Sequence, residues 1–223
     1  MRATLTFVGI IALTITTSSV EASLVANWNF NTYNGDDHSI LSDMGADAGA
    51  SLTIDAGWPS VDLSTQSGTT LNAVGATPAG SAIQFTNNAN NGLGFTMQAD
   101  LTNYQNAVLS FAYKRTGNGF DNVDLFYSTD GVSFTKFADV DNADASYNLH
   151  SYDFSAINAL DGASTAFFRL VLDGASNSSG TADFDNIQLN AVPEPASLTM
   201  LGVGSLAFLA VNRRRRRIRE LAA

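Results

Sequence analysis

The chain has 223 residues and a formal net charge of −10, and it contains no cysteine. That length suits one ordinary domain with targeting segments at its ends, and the lack of cysteine excludes a disulfide scaffold, a thiolate zinc site and a cysteine nucleophile. The charge is unevenly spread: residues 23–192 hold only Lys114, Arg115, Lys136 and Arg169 against 18 Asp, a net of −14 that repels nucleic-acid phosphates.

Taken in chain order, residues 1–22 read as a secretory signal peptide. Arg2 supplies a short basic start, Leu5 to Ile15 is apolar, and Val20-Glu21-Ala22 is a small-x-small cleavage site. Cleavage between Ala22 and Ser23 would leave a mature chain starting at Ser23. The apolar run is about 11 residues, too short to span a bilayer, which needs roughly 17 or more.

Residues 23–190 read as an all-β extracytoplasmic domain. Short apolar or period-2 runs separated by turn residues predict strands over 24–30, 51–55, 81–85, 93–99, 106–113, 122–128, 132–138, 149–154, 165–172 and 182–189. In the fifth, Ala107, Leu109, Phe111 and Tyr113 share one face. In the ninth, Phe168, Leu170 and Leu172 oppose Phe167, Arg169 and Val171, so both faces are expected to be partly covered. Asp130-Gly131 between two alternating runs predicts a hairpin with a type I′ turn. About ten antiparallel strands make a two-sheet sandwich, a jelly roll, the expected fold.

The chain then changes character. Residues 191–195 include Val192, Pro193, Glu194 and Pro195, expected to form an extended, exposed spacer because two prolines remove N–H donors. Residues 196–211 carry no charge and read as one transmembrane helix of about 24 Å, slightly short of a ~30 Å hydrocarbon core. Residues 212–223 form an Arg-rich cytoplasmic tail in which Arg213, Arg214, Arg215, Arg216 and Arg217 act as the membrane stop.

Pro-Glu-Pro, a short hydrophobic helix and a terminal Arg cluster, in that order, resemble the PEP-CTERM sorting signal of Gram-negative bacteria. The resemblance implies an exosortase-like membrane transpeptidase as partner, acting through a cysteine. It also implies transient residence in the inner membrane, then a place at the cell surface or in an extracellular, biofilm-type matrix. It covers about the last 30 residues, with Pro193, Glu194 and Pro195 standing at the recognition motif.

The series "LSFAYKR", "VDLFYSTDGVSF", "YDFSAI", "FFRLVLDG" and "ADFDNIQL" more weakly resembles jelly-roll carbohydrate-binding modules and MAM-like domains. That resemblance implies a last strand lying beside the first and a structural calcium ion bridging them. Asn27 or Asn29 and Asp183 or Asp185 are its candidate ligands, and an Asp-rich chain suits a hard cation.

No catalytic residue stands out. His38 and His150 are the only histidines, no G-x-S-x-G elbow is present, and a glycosidase would need two converging carboxylates from a domain with no Glu. Trp58, in a Gly/Asp/Ser-rich loop, is the candidate for stacking on a sugar ring. The sequence therefore predicts an exported, non-enzymatic structural or adhesive β-sandwich. A carbohydrate-binding module for exopolysaccharide is the first alternative and an Asp-based hydrolase the second.

Overall fold

The computed structural model describes residues 21–140 and 145–194. Twelve strands run in chain order as β1 (Ser23–Trp28), β2 (Ser39–Leu41), β3 (Ser51–Ile54), β4 (Leu63–Ser67), β5 (Ser81–Thr86), β6 (Leu93–Ala99), β7 (Tyr104–Arg115), β8 (Asn122–Ser128), β9 (Thr135–Asp139), β10 (Asn148–Asp153), β11 (Ala166–Asp173) and β12 (Thr181–Pro193). They form two antiparallel sheets. One has the order β10-β7-β12-β5-β4, with β1 also paired to β12; the other has the order β2-β3-β6-β11-β8-β9.

From β5 onward the chain alternates between the sheets, with β8 and β9 staying together as a hairpin. That is jelly-roll connectivity. β12 is the organising strand. It pairs with β7 along most of its length, with β5 at its start and with β1 towards its end, where Ser23 lies opposite Ala191. The first and last strands are neighbours, as expected.

The inner faces follow the sequence pattern. Ala107, Leu109, Phe111 and Tyr113 of β7 and Phe168, Leu170 and Leu172 of β11 are buried between the sheets. Aromatic rings bridge the two layers: Phe95 of β6 stacks on Phe85 of β5 at 5.2 Å and meets Phe184 of β12 edge-on at 5.1 Å. Further along, Phe154 meets Phe168 at 4.9 Å. Such pairs add a geometric preference to their burial. Truncation of a ring this enclosed removes transfer energy and leaves a cavity.

Three expectations need correction. Trp58, proposed as an exposed platform, is 1% exposed. Its indole packs at 4.8 Å from Phe85 and 5.7 Å from Phe120, closing a gap in the core, so it offers no face to a ligand. The hairpin after β8 is not a two-residue turn, because Tyr127 pairs with Thr135 and seven residues intervene. The Asp130 carboxylate organises that loop by accepting from Ser128 Oγ and the backbone N–H groups of Val132 and Ser133 at 2.8–2.9 Å, and Gly131 supplies its positive φ of 69°.

The third correction concerns Val192 to Glu194, which are extended but not a free spacer. β12 continues through Pro193, with Val192 opposite Gln105 and Pro193 opposite Tyr104. The Glu194 N–H donates to the Asn103 carbonyl at 2.7 Å. Backbone N–H groups alternate sides along a strand, so Val192 and Glu194 face β7 while the nitrogen of Pro193 points away from it. The missing N–H therefore costs nothing on the paired side. It falls on the side where β1 pairs, and that ladder ends two residues earlier on β12, at Ser23 and Ala191.

Replacing Phe184 by Ala is expected to lower stability by roughly 3–5 kcal/mol, read from urea unfolding as a lower midpoint with an unchanged slope.

Candidate functional site

The outer faces of the two sheets differ. On the β2-β3-β6-β11-β8-β9 sheet, alternation turns Thr53 of β3, Thr96 and Gln98 of β6 and Phe167 and Arg169 of β11 outward, side by side in register. With the β8–β9 loop they line an open cleft of about 360 Å³. That loop lays Phe134 against the Arg169 guanidinium, 5.9 Å from the ring centre, and brings Gly131 against the Phe167 ring. Arg169 is anchored on its other side by Asp55, just past β3, at 2.6 Å.

The cleft thus combines two half-buried phenyl rings, a fixed ion pair and a floor of hydroxyl and amide groups. Asp55 is the single carboxylate lining it, and Arg169 holds it. Flat apolar rings beside polar groups that can donate and accept are what a neutral, hydroxylated ligand requires. Phe134 and Phe167 lie inside the predicted strands 132–138 and 165–172, where the sequence marks an aromatic residue as core rather than as ligand surface. The available signal was Arg169, one of four domain cations, set inside the apolar run "FFRLVL".

A second hollow contains two carboxylates, Asp47 and Asp100. Asp47 accepts from the backbone N–H groups of Gly49 and Asp100 at 2.8 and 2.7 Å. Asp100 accepts from Thr102 N at 2.7 Å, and bonds from Thr102 hold its carboxyl below the usual range. His38, next to Asp36, Asp37 and Ser39 in sequence, turns to the Trp58 carbonyl at 2.7 Å.

The outer face of the other sheet is covered over Asp185, Asn186 and Gln188 by the loop between β4 and β5, and stays open beside it, where Gln66, Gln84, Lys114 and Asp183 line a hollow of about 330 Å³. Asp185, fully buried, accepts from Thr69 N and Asn186 N, both at 2.7 Å. Asn186, at a bulge with φ 47°, donates to the carbonyls of Thr69 and Leu71 and accepts from Asn72 Nδ2, and Gln188 donates to the Asn72 carbonyl. Burial pushes the Asp185 carboxyl up to about 7, against the opposing pull of those two N–H groups and of Lys114. Asp183 is raised by burial as well, opposed by Gln84 and by Lys114 at 3.2 Å.

The last strand continues past this cover to Pro193 and Glu194 at the base of the sandwich. Residues 191–217 match the PEP-CTERM protein-sorting motif. A PEP-CTERM signal implies an exported protein processed at the membrane. Of its residues, Val192, Pro193 and Glu194 are on the structure, whereas Pro195, the apolar segment 196–211 and Arg213, Arg214, Arg215, Arg216 and Arg217 lie outside the described residues. Residues 1–20 of the expected signal peptide also lie outside. Ala22 is exposed, and β1 begins at Ser23. Among the described residues no helix is long and apolar enough to cross a membrane.

Solved structures similar to the sandwich include TmCBM61 in complex with β-1,4-galactotriose, at a TM-score of 0.44 and 10% identity over 72% of this chain and 92% of that one. A second is the CBM22-1 xylan-binding domain of Paenibacillus barcinonensis Xyn10C, at a TM-score of 0.48 and 10% identity over 79% and 99%. A third is the K2 cleaved adhesin domain of Lys-gingipain, at a TM-score of 0.41 and 12% identity over 74% and 99%. A comparison with curated proteins gives no match.

Of the four expected calcium ligands, all but Asn27 Oδ1 are engaged with protein donors. Asp183 is bound by Lys114 and Gln84, both Asp185 oxygens accept backbone N–H groups, and Asn29 Oδ1 accepts from Asn31 N at 3.0 Å. Asn27 donates to the Ile187 carbonyl, and only its Oδ1 is buried without a partner. Among the described residues no three His, Asp or Glu side chains gather as a metal group. Backbone pairing of β1 with β12 and the bonds from Ser23 Oγ to the Ala191 carbonyl and from Asn27 Nδ2 to the Ile187 carbonyl join the chain ends.

A carboxyl raised in the folded state binds its proton more tightly there than in the unfolded chain, so its contribution to stability falls as pH rises from about 4 to about 7. The unfolding midpoint of the protein minus that of an Asp185→Asn variant should therefore decrease between pH 4 and pH 8. Parallel urea titrations across that range check the sign.

Proposed function

We propose that this PEP-CTERM protein is a non-enzymatic surface or matrix protein whose sandwich binds a neutral polysaccharide along the outer face of β3, β6 and β11. A signal peptide delivers the chain, an exosortase-like transpeptidase handles its tail, and the domain holds exopolysaccharide at the cell surface or in the matrix. The cleft between Phe134, Phe167 and the Asp55–Arg169 pair carries this reading.

Two properties of the cleft support a neutral glycan. The rings offer stacking surface, and the one cation is already neutralised by Asp55 at 2.6 Å. The domain's net charge of −14 opposes acidic polymers by long-range repulsion. The single lining carboxylate, tied to arginine, supports binding over hydrolysis, because glycoside cleavage uses two carboxyl groups flanking the bond. Delivery is supported by the folded domain beginning at Ser23, immediately after the expected cleavage site.

Affinity electrophoresis through gels containing the host's own exopolysaccharide, or neutral soluble glucans and xylans, tests the reading. The protein should be retarded in at least one gel. Phe134→Ala and Phe167→Ala should each weaken retardation roughly tenfold, about 1.4 kcal/mol, while leaving the unfolding midpoint nearly unchanged. Equal mobility of the protein and both variants in every gel would remove the cleft as the binding site.

A further inference from the structure

Three Asn-Gly pairs occur in the chain: Asn34-Gly35, Asn91-Gly92 and Asn118-Gly119. In such a pair the glycine nitrogen can attack the asparagine side chain, since glycine puts no Cβ beside that nitrogen. The attack needs an uncommitted N–H, because its proton must leave before the nitrogen bonds to Cγ.

The fold closes two of the three pairs. The Gly92 N–H donates to the Leu172 carbonyl at 2.8 Å, and the Asn91 amide is paired with the Ala175 backbone through both Oδ1 and Nδ2, each at 3.0 Å. Gly119 is buried and its N–H donates to the Thr116 carbonyl at 2.9 Å. Asn118 Nδ2 is held by Asn177 Oδ1 at 2.7 Å and Ser179 Oγ at 3.1 Å. Reaction at either pair requires local opening first.

The loop between β1 and β2 leaves the third pair open. Asn34 is exposed, and among the described residues the Gly35 N–H donates to no group. Asn34 Oδ1 accepts from the N–H groups of Asp36 and Asp37 at 3.2 and 3.3 Å, and Asn34 Nδ2 donates to Asp37 Oδ2 at 2.9 Å. The side-chain amide is thus held at both of its polar atoms. Its oxygen already faces two donors, where negative charge develops as Cγ becomes tetrahedral.

We propose that Asn34 is a self-modification site, converted in the folded protein to aspartate and isoaspartate by ring closure from the Gly35 nitrogen. Hydroxide takes the Gly35 amide proton, and the nitrogen bonds to Asn34 Cγ. The charge passes to Oδ1, between the Asp36 and Asp37 N–H groups. The Cγ–Nδ2 bond then breaks, and Nδ2 takes a proton from water and leaves as ammonia. Water opens the cyclic imide at either carbonyl, and the ring nitrogen regains its proton. Addition at Cγ restores the main chain with aspartate, whereas addition at the main-chain carbonyl carbon reroutes the chain through Cγ as isoaspartate. The product sets a third carboxylate beside Asp36 and Asp37 and removes the donor to Asp37 Oδ2, so like charges replace a hydrogen bond.

Peptide mapping by mass spectrometry tests this on the purified protein held folded at mildly alkaline pH, with a parallel sample in guanidinium chloride. In the folded protein, conversion at Asn34 should run roughly tenfold or more ahead of Asn91 and Asn118, whereas in denaturant the three rates should agree within about twofold. The Asn34 peptide should resolve into two products of equal mass. On isoelectric focusing, an Asn34→Gln variant should lose the early acidic shift. Equal rates at the three pairs in the folded protein, or a lead by Asn91 or Asn118, would overturn the proposal. So would aspartate as the sole product, which marks direct hydrolysis, or persistence of the early acidic shift in the variant.

Discussion

The sandwich depends on the pairing of β12. One strand of 13 residues joins β7, β5 and β1, and so brings together segments from the start, middle and end of the chain. It also contributes Phe184 to the aromatic stack between the sheets and Asp185 and Asn186 to the network beneath the β4–β5 loop. Both layers and one outer cover are therefore referenced to a single backbone. The bulge at Asp185 and Asn186 shifts the register against β7 by one residue and turns two polar side chains where a regular strand would alternate.

The two outer faces follow from what lies above them. On one sheet a loop spends its backbone polarity on Asp185, Asn186 and Gln188, and the buried carboxylate has its charge disfavoured by desolvation. On the other sheet the seven-residue β8–β9 loop reaches Phe167 and Arg169 of β11. The polar groups there face solvent, and the phenyl rings are only half covered. An architecture with two equivalent-looking faces in sequence thus yields one face capped in part by a loop and one left open along β3, β6 and β11.

How far the sequence could be read depended on whether the governing contact was local. The ten predicted strands are all present, since alternation at Phe168, Leu170 and Leu172 or at Ala107 to Tyr113 reports burial directly. β2, with three residues, and β4, "LSTQS" with only Leu63 buried, carry too little pattern to be seen. Trp58 was misread because its neighbours are loop-like, whereas its environment is set by Phe85 and Phe120 from distant parts of the chain. The tail motif was legible because its chemistry is linear. The docking of Val192 to Glu194 was not, because it turns on which side of β12 the proline nitrogen faces. The open cleft assembles from β3, β6, β11 and the β8–β9 loop, and no spacing along the chain encodes that assembly.

The position of the C-terminal end of β12 has a mechanical consequence. A pull transmitted through Glu194 acts along the axis of a strand flanked by β7 and by β1. Such a load shears many hydrogen bonds at once, where a pull across an edge strand would open them singly. Tension entering at this end would run through the most extensively paired strand, so the lifetime of the fold under load would be set by the barrier to sliding that strand rather than by equilibrium stability.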